Sequence, residues 1–186
     1  MEKTYQHSKT DLTRFDNSWY KRPPLWKNIL WIVASWALVR PTLVPVGFKC
    51  RVLRFFGAKV GKGVMIKPNV NIKYPWLLNI GDYVWIGEGV WIDNLAQVTL
   101  ASHVCLSQGA MLLTGNHDYT VPTFDLKVGE IHLEEGVWIG AKSVVCPGVR
   151  GFSHAVLAVG SVATKHLAPY GIYQGNPAQW VRERKL

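Results

Sequence analysis

Cysteine is scarce in this chain. Cys50, Cys105 and Cys146 are the only three in 186 residues, and they are widely separated with no metal-ligand spacing. So sparse and odd a set excludes a disulfide framework and fits a reducing compartment, so a cytoplasmic location is expected. Charged residues are also few, 18% against 48% hydrophobic, which excludes a disordered chain. Acids are fewest at the start. Residues 1–56 hold Glu2, Asp11 and Asp16 against ten Lys and Arg, so this segment carries +7 of the total charge of +9. No DNA- or RNA-binding motif accompanies that charge, and no nucleic-acid partner is expected. An anionic membrane surface or a phosphate-bearing substrate fits it better. Long apolar runs are missing too. The strongest, Ile29 to Val39, is eleven residues between Lys27 and Arg40, too short to span a bilayer. The polar, acid-bearing start gives no secretory signal.

What is abundant is tryptophan, nine residues, more than a small core needs; such side chains also build interfaces and grooves. The length suits one domain. Residues 1–56 read as a polar lead followed by a helix. Pro23-Pro24 marks its start, Leu25 to Val39 its apolar body, and Arg40-Pro41 its stop. Arg51 to Phe56 adds a short amphipathic turn. The helix is apolar nearly all round, so it must bury more than one face, against the chain, a neighbouring subunit or a membrane interface.

From Val60 a period of six appears. The leading aliphatics are Val60, Ile66 and Ile72; then Ile80, Ile86 and Ile92; then Leu100, Leu106 and Leu112. Two-residue insertions separate these groups. The phase breaks between Thr114 and His132 and returns with Leu133, Ile139, Val145, Gly151, Leu157 and Ala163. Every leading residue except Gly151 is aliphatic or Ala, and the fourth residue on is Val, Ala or Ser in each hexad without an insertion. An amphipathic helix needs a period of about 3.6 and a half-buried strand of about 2, and neither gives six. A chain that runs straight, turns a corner and repeats does give it. The aliphatic stacks inward on the next coil, and glycine relieves the turn.

These hexads resemble those of the hexapeptide-repeat acyltransferase superfamily, which implies an all-β, left-handed parallel β-helix of about five coils. The expected organisation is a basic, Trp-rich helical arm (1–56), the repeat domain (57–168) with an excursion loop (114–132), and a short C-terminal segment (169–186). Within the superfamily, nearly the whole chain is similar to the colanic-acid biosynthesis acetyltransferases. The stretches that carry this are Phe15 to Tyr20, Ile72 to Trp76, Ile92 to Asn94, Ser107 to Tyr119 and Gly171 to Pro177.

His117 opens the excursion from an otherwise regular surface, a natural place for a site. Acetyl transfer from a thioester needs a base for the acceptor hydroxyl, and a neutral imidazole, with an ordinary pKa of about 6.5, suits that task. The resemblance implies that His117 is this base, with the acceptor hydroxyl attacking the thioester directly and no acyl-enzyme forming. It leaves open whether Asp118 or Glu130 orients the ring. The expected acceptor contacts are Glu88, Asp93, Asn94, Asn116 and Asp118, with Trp85 and Trp91 as a sugar platform. The resemblance further implies acetyl-CoA as co-substrate, in a groove between subunits of a homotrimer. Trp138, Ala141, Val159, Gly160, Thr164, Lys165 and Arg182 match its positions, with Arg184 or Lys185 assisting. Two departures bear on this: Gln179 stands where relatives carry a second Arg, and Gly151-Phe152 replaces an aliphatic-Gly pair, which predicts a loosened coil. His7, His103, His132, His154 and His166 have no supporting context, and His103 and His154 fall at corners.

The expected activity is O-acetylation of a sugar hydroxyl in exopolysaccharide biosynthesis. The alternative acceptor is a small saccharide or a xenobiotic. A zinc site on this scaffold needs further histidines near His117, and Pro122 stands where one would fall, so no metal is expected. The 56 residues before the repeat are too few for a nucleotide-binding domain. Peripheral membrane contact through residues 25–56 is the remaining partner expectation.

Overall fold

The computed structural model describes residues 9–186; Glu2, His7 and the first eight positions of the arm lie outside the described residues. The hexads wind into a left-handed parallel β-helix with three flat faces. Face one stacks Lys59–Val60, Leu78–Ile80, Val98–Leu100, Ile131–Leu133 and Arg150–Gly151. Face two stacks Met65–Ile66, Trp85–Ile86, Cys105–Leu106, Trp138–Ile139, Val156–Leu157 and Gly171–Gly175. Face three stacks Asn71–Ile72, Trp91–Asp93, Met111–Leu113, Val144–Val145 and Val162–Ala163. Five coils are complete, and a sixth begins on face one, where Leu167 pairs in parallel with Gly151, and continues on face two. There Gly171–Gly175 turns back through Asn176-Pro177 into the antiparallel strand Ala178–Glu183.

Why six residues make one side is visible at the corners. The leading aliphatics Ile66, Ile86, Leu106, Ile139 and Leu157 are buried in one inward column. Their fourth neighbours, among them Val70, Val90, Ala110 and Ser161, fill the corner behind them. The residue between takes a left-handed backbone: Asn69 at φ 58°, His103 at 62°, Lys142 at 54° and His154 at 62°. Many of the remaining corners use glycine, which meets no Cβ penalty there. Glycine directly after the aliphatic answers a different need. A Cβ on Gly140 would stand 2.6 Å from the Val159 nitrogen of the next coil. Coils this close exclude any side chain.

The insertions add what the six-residue phase does not show. Each lengthens a face-one strand, so Leu78, Val98 and Ile131 join the core two residues ahead of the phased aliphatic. Gly151 does not loosen its coil as expected. Leu133 and Val137 close over it, within 3.1–3.5 Å of where a Cβ would stand.

The arm forms helix α1 (Leu25–Ala34), a π-helical turn (Ser35–Val39) and helix α2 (Val46–Phe55), so the second helix starts well before Arg51. Cys50, Val52 and Leu53 of α2 join the core at the open first coil, a cap of the kind solenoids need. Helix α1 buries one face only, through Trp31, Ser35 and Val39 beyond it, and the Trp31 indole donates to the Ile72 carbonyl at 2.9 Å. Its other faces stay outside in the single chain, which leaves their cover to a neighbouring subunit or a membrane interface.

Candidate active site

The excursion leaves face three after Leu113, at the corner leading to face one. It forms a short antiparallel hairpin, Gly115–His117 with Leu126–Val128. His117 pairs with Leu126, and its ring lies parallel to that of Phe124, centroids 4.4 Å apart. Phe15 of the N-terminal lead covers it from another side at 5.6 Å. The lead is tied to the hairpin by the Asp11 amide, which donates to the Pro122 carbonyl at 2.8 Å.

The ring is oriented by backbone. Nδ1 lies 2.9 Å from the Phe124 carbonyl oxygen, and an oxygen there can only accept, so Nδ1 carries the hydrogen and donates it. Nε2 is thereby left as the lone-pair nitrogen, which is the tautomer a base requires. Phe124 holds this carbonyl with φ at 53°, an unusual conformation for a bulky residue and one that concentrates at functional sites.

Neither acid expected to orient the ring contacts it. The Asp118 carboxylate accepts from the Thr120 amide and hydroxyl and pairs with Lys127 at 2.7 Å, and its backbone amide donates to Asp125. Lys127 foremost, then Thr120, holds its pKa down at about 2. A lowered folded value means this contribution is complete above the unfolded carboxylate pKa of about 4 and is lost as the pH falls towards 2. Glu130 is exposed beyond the hairpin. Asp118→Asn should therefore cost less than about tenfold in turnover at neutral pH, well short of the 10²–10⁴ range of a lost base. Steady-state kinetics of that variant provide the check.

A cavity of about 480 Å³ opens beside His117, lined by Phe15, Asn17, Tyr20, Arg22, Lys73 and Tyr74 among others. Tyr20 donates its hydroxyl to the Leu95 carbonyl at 2.6 Å. Burial, with Tyr74 and Asp93 nearby, pushes its phenol up to about 12, so it stays a neutral donor. Phe15, Asn17, Tyr20, Lys73 and Tyr74 fall in stretches that carry the resemblance, but none of them is assigned a role by the sequence. The Phe15 to Tyr20 stretch was legible only as a resemblance, and Lys73 and Tyr74 belong to the first insertion.

The expected acceptor residues separate. Asn116 is at the site, its side-chain oxygen accepting from the His117 amide at 2.8 Å. Asp93 pairs with Lys73 at 2.8 Å and lines a second cavity next to the first. Asn94 requires correction as an acceptor contact, because it is wholly buried. It accepts from the Tyr74 amide and donates to the Tyr74 and Leu77 carbonyls, locking the first insertion in place. Glu88 sits at another corner, between faces two and three, where its carbonyl accepts from Gly109.

The residues matched to the co-substrate separate as well. Trp138 and Arg182 share one outward row of face two, through Val156 and Ile172 in register, and the Trp138 indole donates to the Ser107 hydroxyl. Ala141, Val159 and Gly160 stack at the corner between faces two and three, where the Gly160 amide donates to Ala141. Thr164 and Lys165 lie at the corner of His117, two coils further on, beside a hollow of about 490 Å³. No cluster of three His, Cys, Asp or Glu side chains suited to a metal ion occurs among the described residues.

No protein-family model matches the chain. The putative colanic acid biosynthesis acetyltransferase WcaF of Escherichia coli K12 is 36% identical over 157 residues, 84% of this chain and 86% of its own. Among solved structures, the hexapeptide-repeat acetyltransferase VCA0836 of Vibrio cholerae superposes with a TM-score of 0.78 at 21% identity, covering 87% of this chain and 92% of that one. A galactoside acetyltransferase in complex with coenzyme A gives 0.77 at 21%, covering 86% and 82%. The chain belongs to the hexapeptide-repeat acetyltransferases, its match to the WcaF type running over most of its length.

Proposed function

We propose that this protein is an acetyl-CoA-dependent O-acetyltransferase acting on a sugar hydroxyl in exopolysaccharide assembly, with His117 as general base. The observation that carries this is the contact of His117 Nδ1 with the Phe124 carbonyl, which assigns the lone pair to Nε2 on a ring that lines a cavity of saccharide size. Two relatives support the acceptor and the donor. The 36%-identical relative is named for colanic acid biosynthesis, and VCA0836 is described in complex with acetyl coenzyme A.

Nε2 accepts the proton of the acceptor hydroxyl as that oxygen bonds to the thioester carbonyl carbon. The Phe124 carbonyl stabilises the imidazolium that forms. The imidazolium then returns the proton to the sulfur as the carbon–sulfur bond breaks, giving the O-acetyl ester and the free thiol. No bond to the protein forms. Gly160 fits the close approach of an extended donor, since no atom stands within 4 Å of where its Cβ would be, and Val159 and Trp138 beside it are exposed. Arg182 on the same face offers a planar fork for phosphate.

Trp138 lies on face two and Ala141 and Gly160 at the corner between faces two and three, away from the corner of His117, so one chain does not bring these residues to its own base. A homotrimer that sets these residues of one subunit against the hairpin of the next completes the site. Sedimentation that finds a fully active monomer would exclude the arrangement. Release of CoA against a panel of saccharides and small xenobiotics tests the acceptor. Turnover confined to xenobiotics would remove the polysaccharide role.

Helix α1 turns Trp26, Ile29, Leu30 and Val33 outward, each more than half exposed, next to Phe55 of α2. No Asp or Glu occurs from residue 17 to 81, against eleven Lys and Arg. No helix among the described residues is long and apolar enough to cross a membrane. An apolar row set in a purely basic surround fits the interface of an anionic bilayer. We expect co-sedimentation with vesicles containing phosphatidylserine, release by salt, and loss on Ile29→Glu with Val33→Glu. Equal binding of the double variant would contradict this.

A further inference from the structure

The cavity beside His117 does not end at Tyr74. A second lobe of about 430 Å³ lies next to it, between α1 and the first coils, and the two share Asn28, Lys73 and Tyr74 as lining. The Lys73–Asp93 ion pair sits at the junction, partly exposed on both sides. Beyond it the distal lobe is walled by the exposed indoles of Trp36 and Trp91, with Asn71 and Arg40 between. Flat apolar rings alternating with amide and charged groups suit a pyranose ring, which has apolar faces and a hydroxylated edge.

Of the two cations lining the lobe, Arg40 and Lys73, Arg40 has no ion-pair partner among the described residues. Its backbone is fixed, the amide donating to Ser35 and the carbonyl accepting from Asn69. Its side chain has no carboxylate within 4.0 Å among the described residues, and Nε is buried without a hydrogen-bond partner. The one carboxylate lining the lobe, Asp93, is taken by Lys73. A guanidinium half withdrawn from water and lacking an anion is costly to leave unpaired.

We infer that the acceptor is a chain of at least two sugar units, and that the unit beside the acetylated one bears an anionic group held by Arg40 between Trp36 and Trp91. This rests on the reading of His117 as the base for a sugar hydroxyl, and it names the acceptor class. A uronate carboxylate and a sugar phosphate offer the same chemistry.

Isothermal titration onto the His117→Ala variant reads the groove without turnover, so it succeeds or fails apart from the catalytic reading. The probes are a neutral monosaccharide, a neutral disaccharide, its uronate-bearing counterpart and a disaccharide phosphate. We expect an anionic disaccharide to bind at least about tenfold more tightly than the neutral one, the scale of one charge-assisted hydrogen bond. The stronger of the two anionic arms identifies the group. Arg40→Gln should erase that preference while the neutral disaccharide still binds, and Arg40→Lys should keep part of it. Trp91→Ala should weaken every disaccharide and leave the monosaccharide unchanged. Equal affinity for all four probes, or an anion preference that survives Arg40→Gln, overturns the inference.

Discussion

Replacing His117 by Ala should lower turnover by at least about 10²-fold, the lower end for a lost general base, while leaving the coils intact. The side chain belongs to a hairpin outside the prism, so its loss removes no core contact. What it does remove is the one imidazole among the described residues that Phe124 holds and that lines the cavity. Donor affinity should be little changed, because on this reading the imidazole acts on the acceptor's proton and supplies none of the groups that hold the donor. Steady-state kinetics with equilibrium CoA binding separate these effects. A variant that keeps near-normal turnover would defeat the assignment of the base. So would one that loses CoA binding in proportion to rate, since that would make His117 a donor contact.

Asn94→Ala should be the most damaging single change to stability among the polar residues of the site. The amide is wholly buried and makes three hydrogen bonds to the backbone of residues 74 and 77. Alanine leaves one amide and two carbonyls without their partner inside the protein, at about 1–3 kcal/mol for each group that water does not reach. We expect about 3 kcal/mol in all and a fall of about 10 °C in the unfolding midpoint for a chain of this size. The consequence reaches function through Tyr74, which lines both lobes of the cavity. Acceptor KM should rise in the folded fraction. Differential scanning calorimetry showing an unchanged midpoint would mean that the insertion is held by something other than this side chain.

The prism was legible because its physics repeats. A buried column and a tight corner recur every six residues, so Ile66, Ile86, Leu106, Ile139 and Leu157 announce one another. The insertions break that phase, which is why Leu78, Val98 and Ile131 did not stand out as core. The excursion was legible as the loss of the period, and His117 as the titratable side chain at its start. Its partner was not. The ring is held by the backbone oxygen of Phe124, which has no counterpart in residue identity. Asn94 misled for a related reason, since a polar residue at an insertion reads equally as a ligand contact or as a brace for the backbone, and only burial decides. Counting hexads alone would have placed Glu88 and His117 at different corners. Helix α1 was rightly read as apolar nearly all round. Which of its faces stays bare depends on Trp31 finding the Ile72 carbonyl, a long-range contact that no local pattern encodes.

The most direct test is the chemical identity of the product. The protein incubated with acetyl-CoA and an acidic oligosaccharide should yield a saccharide carrying one acetyl group as an ester, seen by mass spectrometry and removed by mild alkali. The His117→Ala variant should yield almost none. An alkali-stable amide as the product, or ester formed equally well without the imidazole, would contradict the account.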